Sequence, residues 1–221
     1  VEDFEGPTGT VVAGDLPQGG STSGMYFPGI TITATNTAGG PNSAVIFDTE
    51  NPGGGDEDLG TPNSSCGGPG LGTGGTCTNC GVADPTGPNC VALGKALIIA
   101  ENLNDANADN VVDDPDDERG GGTLVFEFAS AIVPIDITIL DIDSESAAIH
   151  LRGDTLCVVA NATDLGNNSA QTIDLQGFGT FDCLEVTFSS SGAVAELEYD
   201  VVVSVEEETW GKTKAAYRKE D

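Results

Sequence analysis

Ten short runs of apolar or alternating residues, bounded by Gly, Asn and Asp, constrain this chain more than any other feature. They include "GITITAT" (29–35), "SAVIFDT" (43–49), "KALIIAE" (95–101), "GTLVFEFAS" (122–130) and "VPIDITILDID" (133–143). The later runs are "AAIHL" (147–151), "TLCVVAN" (155–161), "AQTIDLQ" (170–176), "FDCLEVTFSS" (181–190) and "AVAELEYDVVVSVEE" (193–207). A period of two in β-branched and aromatic residues predicts strands. Helix formers are sparse, whereas Gly (31 of 221 residues), Thr, Val, Ile and Asn are abundant, which favours strands joined by tight turns. The chain is therefore expected to be all-β: a β-sandwich or jelly roll of about ten strands, built as a single domain over residues 1–208.

Residues 53–90 interrupt this pattern. The insertion is glycine-rich, almost without periodic apolar residues, and carries four of the six cysteines: Cys66, Cys77, Cys80 and Cys90. A loop of that length inside a domain needs an anchor, and disulfides are expected to supply it. The pairing among the four stays open. Cys77-Thr78-Asn79-Cys80 has the spacing of half a zinc site or a redox pair, but no His and no second C-x-x-C accompanies it. Cys157 and Cys183 each lie within a strand run and are expected to pair with each other.

The chain begins with Val1, which predicts a processed N-terminus, and Asn63, Asn161 and Asn167 open glycosylation sequons. Together with the even cysteine count they point to an oxidising, extracellular setting, as a secreted or cell-surface glycoprotein. No run approaches the roughly eighteen apolar residues of a membrane span. With 36 acidic and 7 basic side chains, net −29, neither nucleic acid nor an anionic membrane surface is an expected partner; cations and basic surfaces are.

The acidity is concentrated in "NDANADNVVDDPDDERGGG" (104–122). Counted from Asp105, the spacing gives Asp105 at position 1, Asn107 at 3, Asp109 at 5, Asn110 at 6, Val111 at 7, Asp113 at 9 and Asp116 at 12. These are the ligand positions of a calcium loop, with Val111 contributing its carbonyl and Asn110 taking the left-handed place usually given to Gly. Pro115 and the glycines after Arg119 forbid the exiting helix of an EF-hand, so the expectation is a Ca²⁺ loop grafted between strands. Weaker candidates are Asp48, Asp56 and Asp58, and the trio Asp141, Asp143 and Glu145, which strand alternation would place on one face.

"ITITATNTAGGPNSAVIFDTENPGGGDEDLGTPN", "ALIIAENLNDANADNVVDDPDDERGGGTLVFEF", "LDIDSE", "LGNNSAQTIDL" and "LEVTFSSSGAVAELEY" together resemble a family of uncharacterised secreted bacterial β-sandwich domains of cell-surface proteins. The resemblance runs over roughly residues 3–200; it implies secretion, calcium and the fold, and carries no activity.

The last thirteen residues, "TWGKTKAAYRKED" (209–221), resemble the TWG-x-x-K-x-x-Y-R endings of other secreted bacterial proteins. They hold Lys212, Lys214, Arg218 and Lys219, four of the seven basic side chains, with Trp210 and Tyr217. Residues 1–208 carry −31 and the tail +2. A short C-terminal helix or strand extension that meets a neighbouring copy is expected, using aromatic anchors and complementary charge. The functional expectation is a calcium-stabilised structural subunit of an extracellular filament or surface assembly, a homopolymer. The alternative is a calcium-dependent carbohydrate-binding module, whose partner would be a polysaccharide; aromatics, at 5% of the chain, are few for that role. No enzyme is expected, since the lone histidine, His150, falls inside a strand run and no carboxylate pair stands out.

Overall fold

Each of the ten runs overlaps a strand of the computed structural model, which describes residues 1–5, 11, 13–16, 27–53, 55–75, 77–78, 88–143, 146–153 and 157–202. The strands in order are β1 (Ile30–Asn36), β2 (Ala44–Asp48), β3 (Cys77–Thr78), β4 (Lys95–Ile99) and β5 (Gly122–Leu140). They continue with β6 (Ala147–Arg152), β7 (Cys157–Asn161), β8 (Ala170–Asp174), β9 (Phe181–Phe188) and β10 (Ala193–Val201). Short 3-10 turns at Glu57–Leu59 and Ser64–Cys66 are the helical pieces among the described residues.

β5 organises the fold. Two runs that read as separate strands are here one strand of 19 residues, because Ala129-Ser130-Ala131, small and turn-like in sequence, stays extended. Over its first half β5 lies between β1 and β9, and β9 continues to β6 and β7. Over its second half it lies between β10 and β8, with β10 leading to β4 and β2, and β8 pairing with β3. All these pairings are antiparallel except the two-residue β3–β8 contact. The register with β9 breaks between Glu127 and Ile132, where the shared strand passes from one layer to the other.

The two halves face each other across one core. Leu124 and Phe126 of β5, Ile149 and Leu151 of β6 and Leu184 and Val186 of β9 come from one layer. Ile46, Leu97, Ile99, Ile137, Ile139, Val194 and Leu197 come from the other, and Phe4 and Phe27 join the same cluster. This is a β-sandwich. A second cluster lies on the far face of the β2–β4–β10 layer, where Val45, Phe47, Ala96, Ile98, Ala193 and Ala195 are covered by Leu59 and Val112 from the loops. Hence β2 and β4 are buried on both faces, and their sequences run apolar without alternation.

The glycine-rich insertion is tied down by a Cys66–Cys90 disulfide. The expected Cys157–Cys183 bridge does not form: Cys183 is free and buried. Arg152 of β6 pairs with Cys157 on one side and with Cys183 on the other, so the two cysteines are two strand spacings apart. That is about 10 Å, beyond disulfide reach. Cys80 lies outside the described residues, and of Cys77 and Cys157 only the backbone is described.

Candidate cation-binding loops

The 105–116 loop leaves the sandwich after β4 and returns to it at Ala100, which bridges to Asp117. Its anchor is Val112, 3% exposed in the second core, whose amide donates to the Gly14 carbonyl at 3.0 Å. Ahead of that anchor the backbone curls with Ala108 at φ 59° and Asn110 at φ 69°, the left-handed place expected for Asn110.

The curl gathers its own side chains. Asp105 accepts from the amides of Asp109 (3.1 Å) and Asn110 (2.9 Å). Asn107 Oδ1 accepts from Asp109 N at 2.9 Å, and Asp109 Oδ1 from Val111 N at 2.9 Å. Asp113 accepts from Ala106 N at 2.7 Å and from Asn107 Nδ2 at 3.1 Å. Asp105, Asn107, Asp109 and Asp113 thus form one linked group, and each carboxylate keeps further lone pairs free for a cation.

Asp116, the expected twelfth ligand, turns elsewhere. It accepts from Asn102 Nδ2 at 3.4 Å and is hydrogen-bonded to Asp56, because the chain from Asp116 is already pairing with the sandwich: Asp116 O accepts from Glu101 N at 2.9 Å. The twelve-residue spacing therefore divides between two places.

The second place is an acidic knot below the loop. Asp117, 3% exposed, accepts from Ser191 Oγ (2.6 Å) and Gly192 N (2.8 Å). Its own amide donates to Asp56 Oδ2 at 2.6 Å. Burial, and then the charge of Asp117, push Asp56 far above the ordinary carboxylate range. Burial raises Asp117 too, against the hydrogen bonds from Ser191 and Gly192 that favour its charged form. Burial followed by the charges of Glu101 and Asp117 raises Asp116, and burial raises Asp58. Carboxylates this close need a proton or a cation to balance them. Asp117 was missed as a site residue in sequence, although it stands inside the D-P-D-D run; only the fold brings residues 56 and 117 together.

The remaining candidates separate. Asp48 pairs with Lys95 at 3.2 Å; burial would raise its carboxyl, but hydrogen bonds from Asn51 and Lys95 and the lysine charge outweigh that and lower it. Its charge is thus already met by a lysine. Asp141 and Asp143 do not share a strand face, since β5 ends at Leu140 and Asp141 turns left-handed at φ 57°. Asp141 is 4% exposed and accepts from the Asn168 amide at 2.6 Å. Glu145 lies outside the described residues. Among the described residues no three His, Cys, Asp or Glu side chains are grouped as a metal ion requires; the loop set depends on Asn107 and a backbone carbonyl as well.

Asn63 is corrected as a glycosylation site. It is 1% exposed, and its Nδ2, the atom a glycan would occupy, donates to Asn168 Oδ1 at 2.7 Å. Asn168 in turn donates to the carbonyls of Asp58 (2.6 Å) and Gly60 (2.7 Å), so this asparagine pair staples the insertion to the sandwich. Asn167 is half-buried, with its amide directed at Asp58, and Asn161 is exposed at the end of β7. His150 lies half-buried on β6, opposite Glu185 of β9. Trp210, Lys212, Lys214, Tyr217, Arg218 and Lys219 lie outside the described residues.

No helix among the described residues is long and apolar enough to cross a membrane. No protein-family model matches the chain, and no curated protein does. One solved structure similar over part of the chain is described as CpGH89CBM32-6 produced by Clostridium perfringens. It is 12% identical, with a TM-score of 0.31, over 39% of this chain and 74% of that one. A likeness of that size carries no argument about this chain.

Proposed function

We propose that the chain is a secreted, calcium-stabilised structural subunit of an extracellular filament or surface assembly, belonging with the secreted bacterial β-sandwich domains its motifs resemble. The observation that carries this reading is the distribution of charge. A body of −31 ends in a tail of +2 that holds Trp210 and Tyr217. Self-repulsion of the body opposes any assembly of copies, and a basic aromatic tail relieves it at one contact while calcium relieves it elsewhere. A contact made by the tail of one copy on the body of the next is heterologous and propagates when it does not close.

The calcium part rests on Asp105, Asn107, Asp109 and Asp113, which the loop amides hold together without a lysine or arginine among them. The Cys66–Cys90 disulfide suits an oxidising, extracellular setting. When bound, calcium would supply two positive charges to a loop whose carboxylates otherwise repel. An extracellular site of this kind binds at roughly 10⁻⁴ to 10⁻³ M.

Electron microscopy of the full chain, and of a chain ending at Glu208, in millimolar calcium tests the assembly. Filaments or sheets from the first and single particles from the second are expected; single particles from both would overturn the reading. Thermal melting in excess EDTA tests the metal. A fall in Tm of several degrees, restored by calcium and absent in Asp105→Asn, is expected, and an unchanged Tm would remove calcium from the proposal.

A further inference from the structure

The first layer ends at β7, the last strand in its order. Which of its backbone groups face outward follows from the bonds beside β6. Ala162 N donates to Ala147 O at 2.8 Å, and Ser189 N donates to Ser146 O at 3.0 Å, so the odd-numbered residues of β6 bond to β7 and the even-numbered ones to β9. Directly opposed residues of an antiparallel pair alternate between bonded and non-bonded. With Leu151 opposite Val158 and Ile149 opposite Ala160, β7 uses Val158 and Ala160 toward β6. The amides and carbonyls of Cys157, Val159 and Asn161 therefore point away from the sheet, and among the described residues nothing pairs with them. Val159 is 49% exposed, and Asn161 is exposed as well.

The other sheet edges are covered or acidic. Beside β2, Gly14 N donates to Ile46 O at 2.8 Å and Ile46 N to Asp15 O at 3.0 Å. On β1, Asn36 N turns to Asn42 Oδ1 at 2.9 Å, so the even-numbered residues face away from β5; yet Ile30, Ile32 and Ala34 are only 4%, 0% and 7% exposed. β8 carries β3 at Ala170 and Gln171 and ends on an acid, Asp174. An open edge is ordinarily blunted by a charge, a proline or a bulge. β7, Cys-Val-Val-Ala-Asn, has neither charge nor proline, and its register with β6 is unbroken. β6, Ala-Ala-Ile-His-Leu-Arg, adds no carboxylate. On a chain of −29, these two strands form a border without acidic side chains, where a second copy meets least repulsion.

We propose that β7 is a docking edge for β7 of a second copy, the two strands running antiparallel about a two-fold axis at Val159. Val159 is the middle one of the outward-facing residues, so an axis there serves all of them. Val159 exchanges both backbone bonds with its own counterpart, and Cys157 does so with Asn161 of the second copy. Each edge presents the donors and acceptors that the other needs, as the addition of a strand to a sheet requires. The exposed Val159 side chains meet across the axis as an apolar cross-strand pair. The contact is isologous and closes at two copies. It goes beyond the building-block reading and does not use the tail; where tail contacts propagate as well, it ties two filaments side by side.

Residue-resolved hydrogen exchange of the full chain, dilute and concentrated, with analytical ultracentrifugation of the same samples, reads this edge directly. Concentrated wild type is expected to associate, with exchange slowed about tenfold or more at the amides of Cys157, Val159 and Asn161. Val159→Pro removes an amide that the pairing of β6 with β7 does not use, a place where an edge strand tolerates proline. It is expected to keep the Tm of dilute wild type and to lose both the association through β7 and the slowing at Cys157 and Asn161. Val159→Lys puts a charge on the edge and is expected to do the same, which guards against misfolding of the proline variant. If both variants keep the slowing at Cys157 and Asn161, the docking edge is wrong. If these amides exchange alike at every concentration of wild type, it is likewise overturned; filaments formed under those conditions would leave the building-block reading standing without it. If they are already slow in the dilute monomer, the chain covers its own edge and the proposal fails.

Discussion

Glu2 forms a bridge to Leu197, with backbone hydrogen bonds of 2.8 and 2.9 Å in the two directions. That pairing draws its carboxyl under the body, and burial raises its pKa to about 7 although the Phe4 amide donates to it. Folded, the group keeps its proton to about pH 7; unfolded, it releases it near 4.5. Its contribution to stability is therefore complete below pH 4.5 and is lost as the pH rises through 7. Glu2→Gln is expected to flatten that slope and to be more stable than wild type at pH 8 by about 1 to 2 kcal/mol, after allowance for solvent screening. Urea melts at pH 4 and pH 8 measure it; equal slopes in both proteins would show that Glu2 is ionised in the fold. At this scale the sequence was half legible. Spacing alone placed Asp105, Asn107, Asp109 and Asp113 together, because a loop's own amides decide where such side chains go. It could not place Asp56 beside Asp117, or bury Asn63 against Asn168, since those contacts cross 61 and 105 residues.

The element that most depends on a single bond is the insertion. Of the two leucines in residues 57–71, Leu71 is exposed, whereas Leu59 is fully buried in the second core. The Cys66–Cys90 disulfide, 24 residues apart in sequence, restricts the unfolded chain and keeps Leu59 over Phe47 and Ile98. Replacing both cysteines with serine is expected to cost about 3 kcal/mol and to open residues 57–71 to proteases before the sandwich unfolds. Limited proteolysis with mass mapping checks the second half of that statement. Strand positions were legible because alternation reports one-sided burial, as in β1 and β9. The continuity of β5 was not, because Ala-Ser-Ala has no periodic signal and only pairing with β1 and β10 on either side of it shows that the strand continues. The second core was hidden for the opposite reason: β2 and β4 are apolar on both faces, and sequence does not say that loops cover the outer one.

The whole molecule carries −29, and three ion pairs on two basic side chains are all that offset it among the described residues. Compactness therefore concentrates like charge, at a cost that salt reduces. Tm is expected to rise steadily with sodium chloride between 0.01 and 0.5 M, a range over which the screening length falls from about 30 Å to under 8 Å. A Tm independent of salt would mean that bound cations already neutralise the body.

The shared strand also sets a schedule. β5 is completed at one end by β1 and at the other by β10, with Ile30 against Phe128 and Val201 against Ile132. Contacts between the earliest and latest parts of a chain form slowly, since closing such loops precedes any reward from pairing. Until Ala193–Val201 is free, the second half of β5 has one of its two neighbours missing, and the layer that holds β4 and β2 cannot join it. A chain that emerges from its N-terminus thus keeps β2 and β4 apart from β5 until β10 has followed.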